Sequence, residues 1–156
     1  MTSVYAILKK IFLFRTGMHR KGNVIILDDD GFCSYTIESF IELFVQEHSN
    51  SLLSVHKVTS GSMALDLIES LHMENEPITL CIIDMYLIGE SGVDVVQVLR
   101  KCESVAPLIP RTFVLGISAD DTIEQQCITA GMDCFSTKPL TYNTIATVLD
   151  HTFGSR

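Results

Sequence analysis

The sequence lacks the features of several protein classes. It has no C-x-x-C pair, and its cysteines (Cys33, Cys81, Cys102, Cys127 and Cys134) are odd in number. Zinc sites and disulfide frameworks are therefore disfavoured, and free thiols in an intracellular compartment are the simplest reading. No apolar run exceeds five residues, which leaves nothing to form a transmembrane helix. Charged residues are few, 19 % against 47 % hydrophobic, so intrinsic disorder is excluded as the main state. Basic charge is scarcer still. The formal net charge is −8, yet Lys9, Lys10, Arg15, Arg20 and Lys21 give residues 1–22 a charge of +5 with no acid, leaving −13 for the rest. An acidic body argues against direct nucleic-acid binding and suits a cation site or a basic partner surface. Taken alone, acidity serves equally well to keep a protein soluble.

What is present describes one domain. A chain of 156 residues can bury a core without a metal or disulfide staple. Residues 1–22 stand apart as a basic and apolar extension. Val4–Leu8, the lysine pair and Ile11–Phe14 read as a short appended amphipathic helix, with membrane-surface or organelle targeting left open. Residues 23–153 then alternate regularly. Val24–Leu27, Leu52–Val58, Ile78–Ile83, Phe113–Ile117 and Cys134–Thr137 are short runs rich in apolar residues, as buried strands are. Between and after them, Ile37, Phe40, Ile41 and Phe44, then Ala64, Leu65, Ile68 and Leu71, recur at helical spacing. Further helices are expected over 92–102, from about Asp121 to Ala130 with a stop at Gly131, and over Thr141–Phe153. Five βα units with mostly apolar strands predict a doubly wound α/β fold, a parallel five-stranded sheet in a three-layer α/β/α sandwich.

In such sheets a ligand sits beyond the carboxyl ends of the strands. The first expected strand ends in Asp28-Asp29-Asp30, the third in Asp84, the fourth in Ser118 and the fifth in Lys138-Pro139. Taken singly, each has an ordinary reading. An acidic triplet is usually a solvated turn, a lone Asp a helix cap, and a lone Lys a surface residue. Together they bring carboxylates, a hydroxyl and an ammonium to one edge. Clustered carboxylates repel one another, and a hard cation with oxygen ligands, Mg2+ first, removes that cost. This is the equipment of phosphoryl transfer, with a carboxylate as nucleophile.

The stretches VIILDDD (24–30), CIIDM (81–85), VLGISAD (114–120) and AGMDCFSTKPL (130–140) resemble, in order, the response-regulator receiver domain of two-component phosphorelays. The resemblance spans residues 23–153. It implies a flavodoxin-like sheet in the order 2-1-3-4-5. It implies Asp84 as phosphoacceptor from a phosphohistidine, with Mg2+ held by Asp28, Asp29, Asp84 and the backbone carbonyl of Tyr86. Asp30 is expected to start a helix. Ser118, Ala119, Lys138 and Phe135 would bind the phosphoryl group or switch on its arrival, and Lys138-Pro139 would be a cis peptide. Domains of this kind catalyse only their own aspartyl phosphorylation and dephosphorylation and are not enzymes in the ordinary sense. The sequence departs from the family at Ile88, where a proline is usual, which suggests a looser loop. Tyr86 and Asp120 flank the expected route of attacking water.

The ending is similar to hybrid-kinase receivers and to the receiver-only type-C regulators of plants. That implies a histidine-containing phosphotransfer protein or histidine kinase upstream, a cytoplasmic setting with a nuclear one left open, and signalling without an output domain. Phe32, Cys33, Tyr35 and Val45 give the first helix apolar surface beyond its core stripe, suited to docking or to packing against the N-terminal segment. The main alternative is a degenerate receiver serving as an unphosphorylated interaction module. A haloacid-dehalogenase phosphatase wants a second Asp where Tyr86 stands. A flavodoxin-like nucleotide site lacks its glycine-rich loop. No histidine falls at a strand end facing the site, so Ser/His/Asp hydrolysis is unsupported.

Overall fold

The computed structural model describes residues 20–48, 51–76, 78–106 and 110–153. Residues 1–19 and Pro107 lie outside them, as does the reading of the N-terminal segment as an amphipathic helix. The strands of the main sheet are β1 (Arg20–Leu27), β2 (Ser51–Val58), β3 (Ile78–Asp84), β4 (Phe113–Ser118) and β5 (Cys134–Thr137). Between and after them run α1 (Gly31–Glu47), α2 (Gly61–Met73), α3 (Gly92–Val105), α4 (Glu124–Ala130) and α5 (Tyr142–Phe153). All four neighbouring strand pairs are parallel, and the order is 2-1-3-4-5. This is the doubly wound fold that the βα alternation predicts, in the flavodoxin-like order that the resemblance implies.

The two faces of the sheet divide its side chains by strand alternation. Val24, Ile26, Leu80, Ile82, Leu115 and Ile117 pack against Ile37, Ile41 and Phe44 of α1 and Ile145, Leu149 and Phe153 of α5. Ile25, Leu27, Cys81, Ile83 and Val114 pack on the other face against Ala64 of α2, Val95, Val96 and Leu99 of α3 and Cys127 of α4. Each fully buried aliphatic side chain contributes about 1.5–3 kcal/mol of transfer free energy, which is why the inner strands β3 and β4 are apolar on both faces.

The structure differs most from the sequence reading at two element starts. β1 begins at Arg20 rather than Val24, because it pairs with β2 from Arg20↔Ser51 to Leu27↔Val58. Backbone pairing makes no demand on side-chain polarity, so hydropathy could not mark this extension. The helix expected from Asp121 opens instead as a 3-10 turn, Asp121–Ile123, before α4 begins. Asp120 caps that turn, its Oδ1 accepting from Thr122 N at 2.9 Å. Gly131 ends α4 with φ +110, a left-handed conformation that glycine adopts without a Cβ penalty.

At the amino end of the sheet Arg100 of α3 ties several elements together. Its guanidinium donates to Gly131 O (2.8 Å), Glu103 Oε2 (2.7 Å), Thr112 O (2.9 Å) and Asp133 Oδ2 (2.9 Å). The two carboxylates in turn accept from Thr112 N and Val114 N, each at 2.8 Å. This network sits at the end of the sheet opposite the functional groups and locks β4 and the α4–β5 turn to α3.

Candidate functional site

The site is assembled by strand ends. β1 and β3 are adjacent, while the connections that leave their carboxyl ends, through α1 and through α3, cross opposite faces of the sheet. A crevice opens at this switch point. Asp28 follows β1, Asp84 closes β3, Ser118 closes β4 and Lys138 follows β5. The buried strands carry these polar groups into an environment where each needs a partner.

The partners are specific. Asp28 is 1 % exposed; its Oδ1 accepts from Asp30 N at 2.8 Å and its Oδ2 from Lys138 Nζ at 3.0 Å. Asp84 is 6 % exposed; its Oδ1 accepts from Tyr86 N at 3.2 Å and its Oδ2 from Lys138 Nζ at 2.7 Å. Asp29, half-buried, accepts from Ile88 N at 2.5 Å through Oδ2. Asp30 points away and caps α1, accepting from Phe32 N at 2.9 Å. The triplet thus separates into two site carboxylates and one helix cap, as its neighbours in space require. For Lys138, burial opposes the charge, but the hydrogen bonds to Asp84 and Asp28 outweigh it and hold the ammonium above the ordinary lysine range.

One carboxylate oxygen each from Asp28, Asp29 and Asp84 lies within 4.8 Å of the others. This set is all oxygen and anionic, and it suits a hard divalent cation; soft ligands are absent from it. Lys138 alone offsets one charge of three, so the donor chemistry fits Mg2+.

Ser118 is fully buried, and its Oγ accepts from Asp120 N at 3.0 Å. Among the described residues its own hydroxyl proton goes to no acceptor, an unspent donor at the sheet edge. Lys138 N donates to Ser118 O at 2.8 Å, which fixes the β5 end against β4. Ala119 is exposed, Phe135 is half-buried against the core on the α3 side, and the Lys138–Pro139 peptide is cis. Tyr86 is exposed, and its hydroxyl donates to Asp120 Oδ2 at 3.3 Å across the mouth. Burial of its ring edge and the Asp120 carboxylate raise its pKa; the Thr122 hydrogen bonds hold Asp120 below the usual value.

Three features were not visible in the sequence. The turn at Ile88 is held by a short ribbon: Tyr86–Leu87 pairs antiparallel with Glu90–Ser91, and Leu87 is buried. Glu90 reaches back to the amino end of α2, its Oε1 accepting from Gly61 N at 2.6 Å. Gly92 lets α3 start directly beneath the site, since a Cβ there would lie 2.3 Å from Asp84 O. The one available signal was the pair of glycines flanking Glu90-Ser91. Cys33 is a fourth neighbour, half-buried, with its thiol pushed up to about 12 by burial and then by Asp28.

The sheet order and the polar groups gathered at its strand ends define a doubly wound, flavodoxin-like α/β domain. The response regulator receiver domain family matches residues 24–150, and the chain belongs to it. Solved structures agree in fold. The receiver domain of the response regulator Ssk1 of Saccharomyces cerevisiae, co-crystallised with the histidine phosphotransfer protein Ypd1, is 16 % identical with a TM-score of 0.66, covering 85 % of this chain and 89 % of that one. The receiver domain of the putative response regulator NarL from Mycobacterium tuberculosis is 25 % identical with a TM-score of 0.65, covering 86 % and 98 %. That of the Francisella response regulator 1452 is 19 % identical with a TM-score of 0.64, covering 85 % and 96 %. No curated protein sequence matches the chain. No described helix is long and apolar enough to cross a membrane.

Proposed function

We propose that this receiver accepts a phosphoryl group on Asp84 from a phosphohistidine of a partner protein and passes the signal by a conformational switch or relays the group onward. The observation that carries this reading is the Lys138 ammonium, held between Asp84 and Asp28 with Asp29 beside them. A buried carboxylate at a strand end, next to a fixed cation and an unspent hydroxyl donor, is placed to act as a nucleophile and to have its product recognised.

Asp84, Asp28, Asp29 and the backbone carbonyl of Tyr86 would hold the Mg2+. When bound, that ion supplies positive charge to offset the oxygens of the transferred group. In the transfer an oxygen of the Asp84 carboxylate forms the new O–P bond as the P–N bond to the imidazole breaks. The electron pair stays on the departing nitrogen. Lys138 then loses Asp84 as an anionic partner and turns to the phosphoryl oxygens. Ser118 donates its hydroxyl proton to one of them, and Phe135, on the neighbouring strand β5 opposite Gly116, reports the shift. Ala119, next to Ser118 and exposed, would offer its backbone amide to the phosphoryl-binding set.

The partner is proposed to be a histidine-containing phosphotransfer protein or a histidine kinase. Phe32 and Tyr35, both exposed on α1 at the rim of the site, offer apolar surface for it. Cys33 and Val45, expected to share that surface, are only half exposed, and Cys33 packs on the α1–α5 core.

Intact-protein mass spectrometry tests the proposal. The chain is incubated with acetyl phosphate and, separately, with a phosphorylated histidine phosphotransfer protein, each with Mg2+ or EDTA. One phosphoryl group is expected with Mg2+, labile to hydroxylamine and absent from Asp84→Asn. A gain on Asp84→Asn would refute the acceptor assignment. No gain from either donor would leave the domain an interaction module.

A further inference from the structure

The segment after Asp84 makes a contact to which the proposed function assigns no role. Ile88 leaves its side chain in solvent, 89 % exposed, so burial does not explain its position. Its backbone N–H donates to Asp29 Oδ2, joining parts of the chain 59 residues apart. Two devices hold that N–H in place. The Tyr86–Leu87 and Glu90–Ser91 ribbon turns through Gly89 at φ +79, and buried Leu87 pins it to the core. Glu90 anchors the return limb on Gly61 N, where the amino end of the thirteen-residue α2 favours a carboxylate.

Charge is divided unevenly among the three site carboxylates. Lys138 reaches Asp28 and Asp84; among the described residues Asp29 has no cation, and the Ile88 amide is its one hydrogen-bond donor. Asp29 is also the least buried of the three. A half-exposed aspartate otherwise samples several rotamers and loses that freedom when it captures a cation.

We infer that the backbone amide of Ile88 is a positioning group for the cation site: it holds Asp29 in the rotamer that places one of its oxygens within 4.8 Å of those of Asp28 and Asp84. This rests on the proposed reading of these carboxylates as Mg2+ ligands. A carboxylate has about four lone-pair positions, so one amide leaves room for metal. The ribbon and Glu90 are then the support that keeps the amide on target, and the identity of the residue 88 side chain is unimportant provided it has an N–H.

The test is Mg2+ titration of the full chain followed by amide NMR shifts, comparing the unaltered protein with Ile88→Val and Ile88→Pro. Ile88→Val keeps the donor and is expected to bind within twofold of the parent. Ile88→Pro removes it and is expected to bind about three- to tenfold more weakly, the range for one side chain's rotamer freedom. Should the proline variant fold poorly, amide exchange at Ile88 decides the matter in the absence of metal. Protection is expected in the parent and its loss in Asp29→Ala. Equal Mg2+ affinity in Ile88→Pro, or Ile88 exchange indifferent to Asp29→Ala, would overturn the inference while leaving the acceptor reading intact. A parent chain that binds no Mg2+ would overturn both.

Discussion

Replacing Lys138 by methionine removes the one cation from between two buried carboxylates. Its ammonium lies 2.7 Å from Asp84 Oδ2 and 3.0 Å from Asp28 Oδ2, and the lysine side chain is 23 % exposed. At an effective dielectric of about 20, each contact is a gross attraction of about 6 kcal/mol, most of it offset by desolvation. Deleting one partner of a buried pair costs about 3–5 kcal/mol, because the remaining charge is stranded. The partial exposure of Lys138 places the expected loss near the lower end, about 3 kcal/mol, or roughly 10 °C in Tm for a domain of this size. The assay is urea unfolding followed by circular dichroism, in EDTA and in saturating Mg2+. Mg2+ at one hundred times its Kd should stabilise the parent by about 2.7 kcal/mol. In Lys138→Met the ion also replaces the missing charge, so its effect should be larger by at least about 1 kcal/mol. The pH dependence follows in sign. Because the pKa of Lys138 is raised by folding, its contribution is complete below the unfolded value of 10.5 and is lost as pH rises through the folded one. The difference between parent and variant should therefore persist across neutral pH and close in alkali. A loss in EDTA below about 1 kcal/mol, or an equal gain from Mg2+ in both proteins, would refute this account of the site's charge balance.

Two further outcomes are expected away from the acceptor. Arg100→Ala takes the cation from Glu103, leaves Asp133 with Arg111 alone and removes the donor from Thr112 O, and should cost about 2–4 kcal/mol in urea unfolding while leaving Mg2+ affinity within twofold; a loss under about 1 kcal/mol would count against the network. Thiol labelling with a disulfide reagent at pH 8 should show one fast cysteine, the exposed Cys102. Cys81 is fully buried, with burial pushing its thiol to about 12; burial and then Asp133 push half-buried Cys134 to about 11. A raised pKa means less thiolate at every pH below it, so labelling of Cys134 should quicken about tenfold per pH unit until near that value. Fast labelling of Cys134 at pH 8 would contradict its described environment.

The sequence alone determined the order of elements and the chemistry at the strand ends. Both are local. Val24–Leu27 and Ile78–Ile83 are apolar because both faces of a parallel sheet are covered, and the polar residue that ends each run is read directly from the chain. Asp28, Asp29, Asp84, Ser118 and Lys138 were legible for that reason, and their ordered spacing carried the family resemblance. Asp30 could also be assigned to a helix start, since capping involves only its next two residues. Tertiary structure decided what touches what. No periodicity announces that Ile88 N–H meets Asp29, that Glu90 reaches Gly61 or that Arg100 gathers Gly131, Thr112 and Asp133. The start of β1 at Arg20 was hidden for a related reason, because strand pairing is a backbone bond that polar residues make as well as apolar ones. Hydropathy records where a side chain must be buried. Hydrogen bonds between distant segments depend on where the folded chain brings a donor and an acceptor together, and that is fixed only once both faces of the sheet are packed.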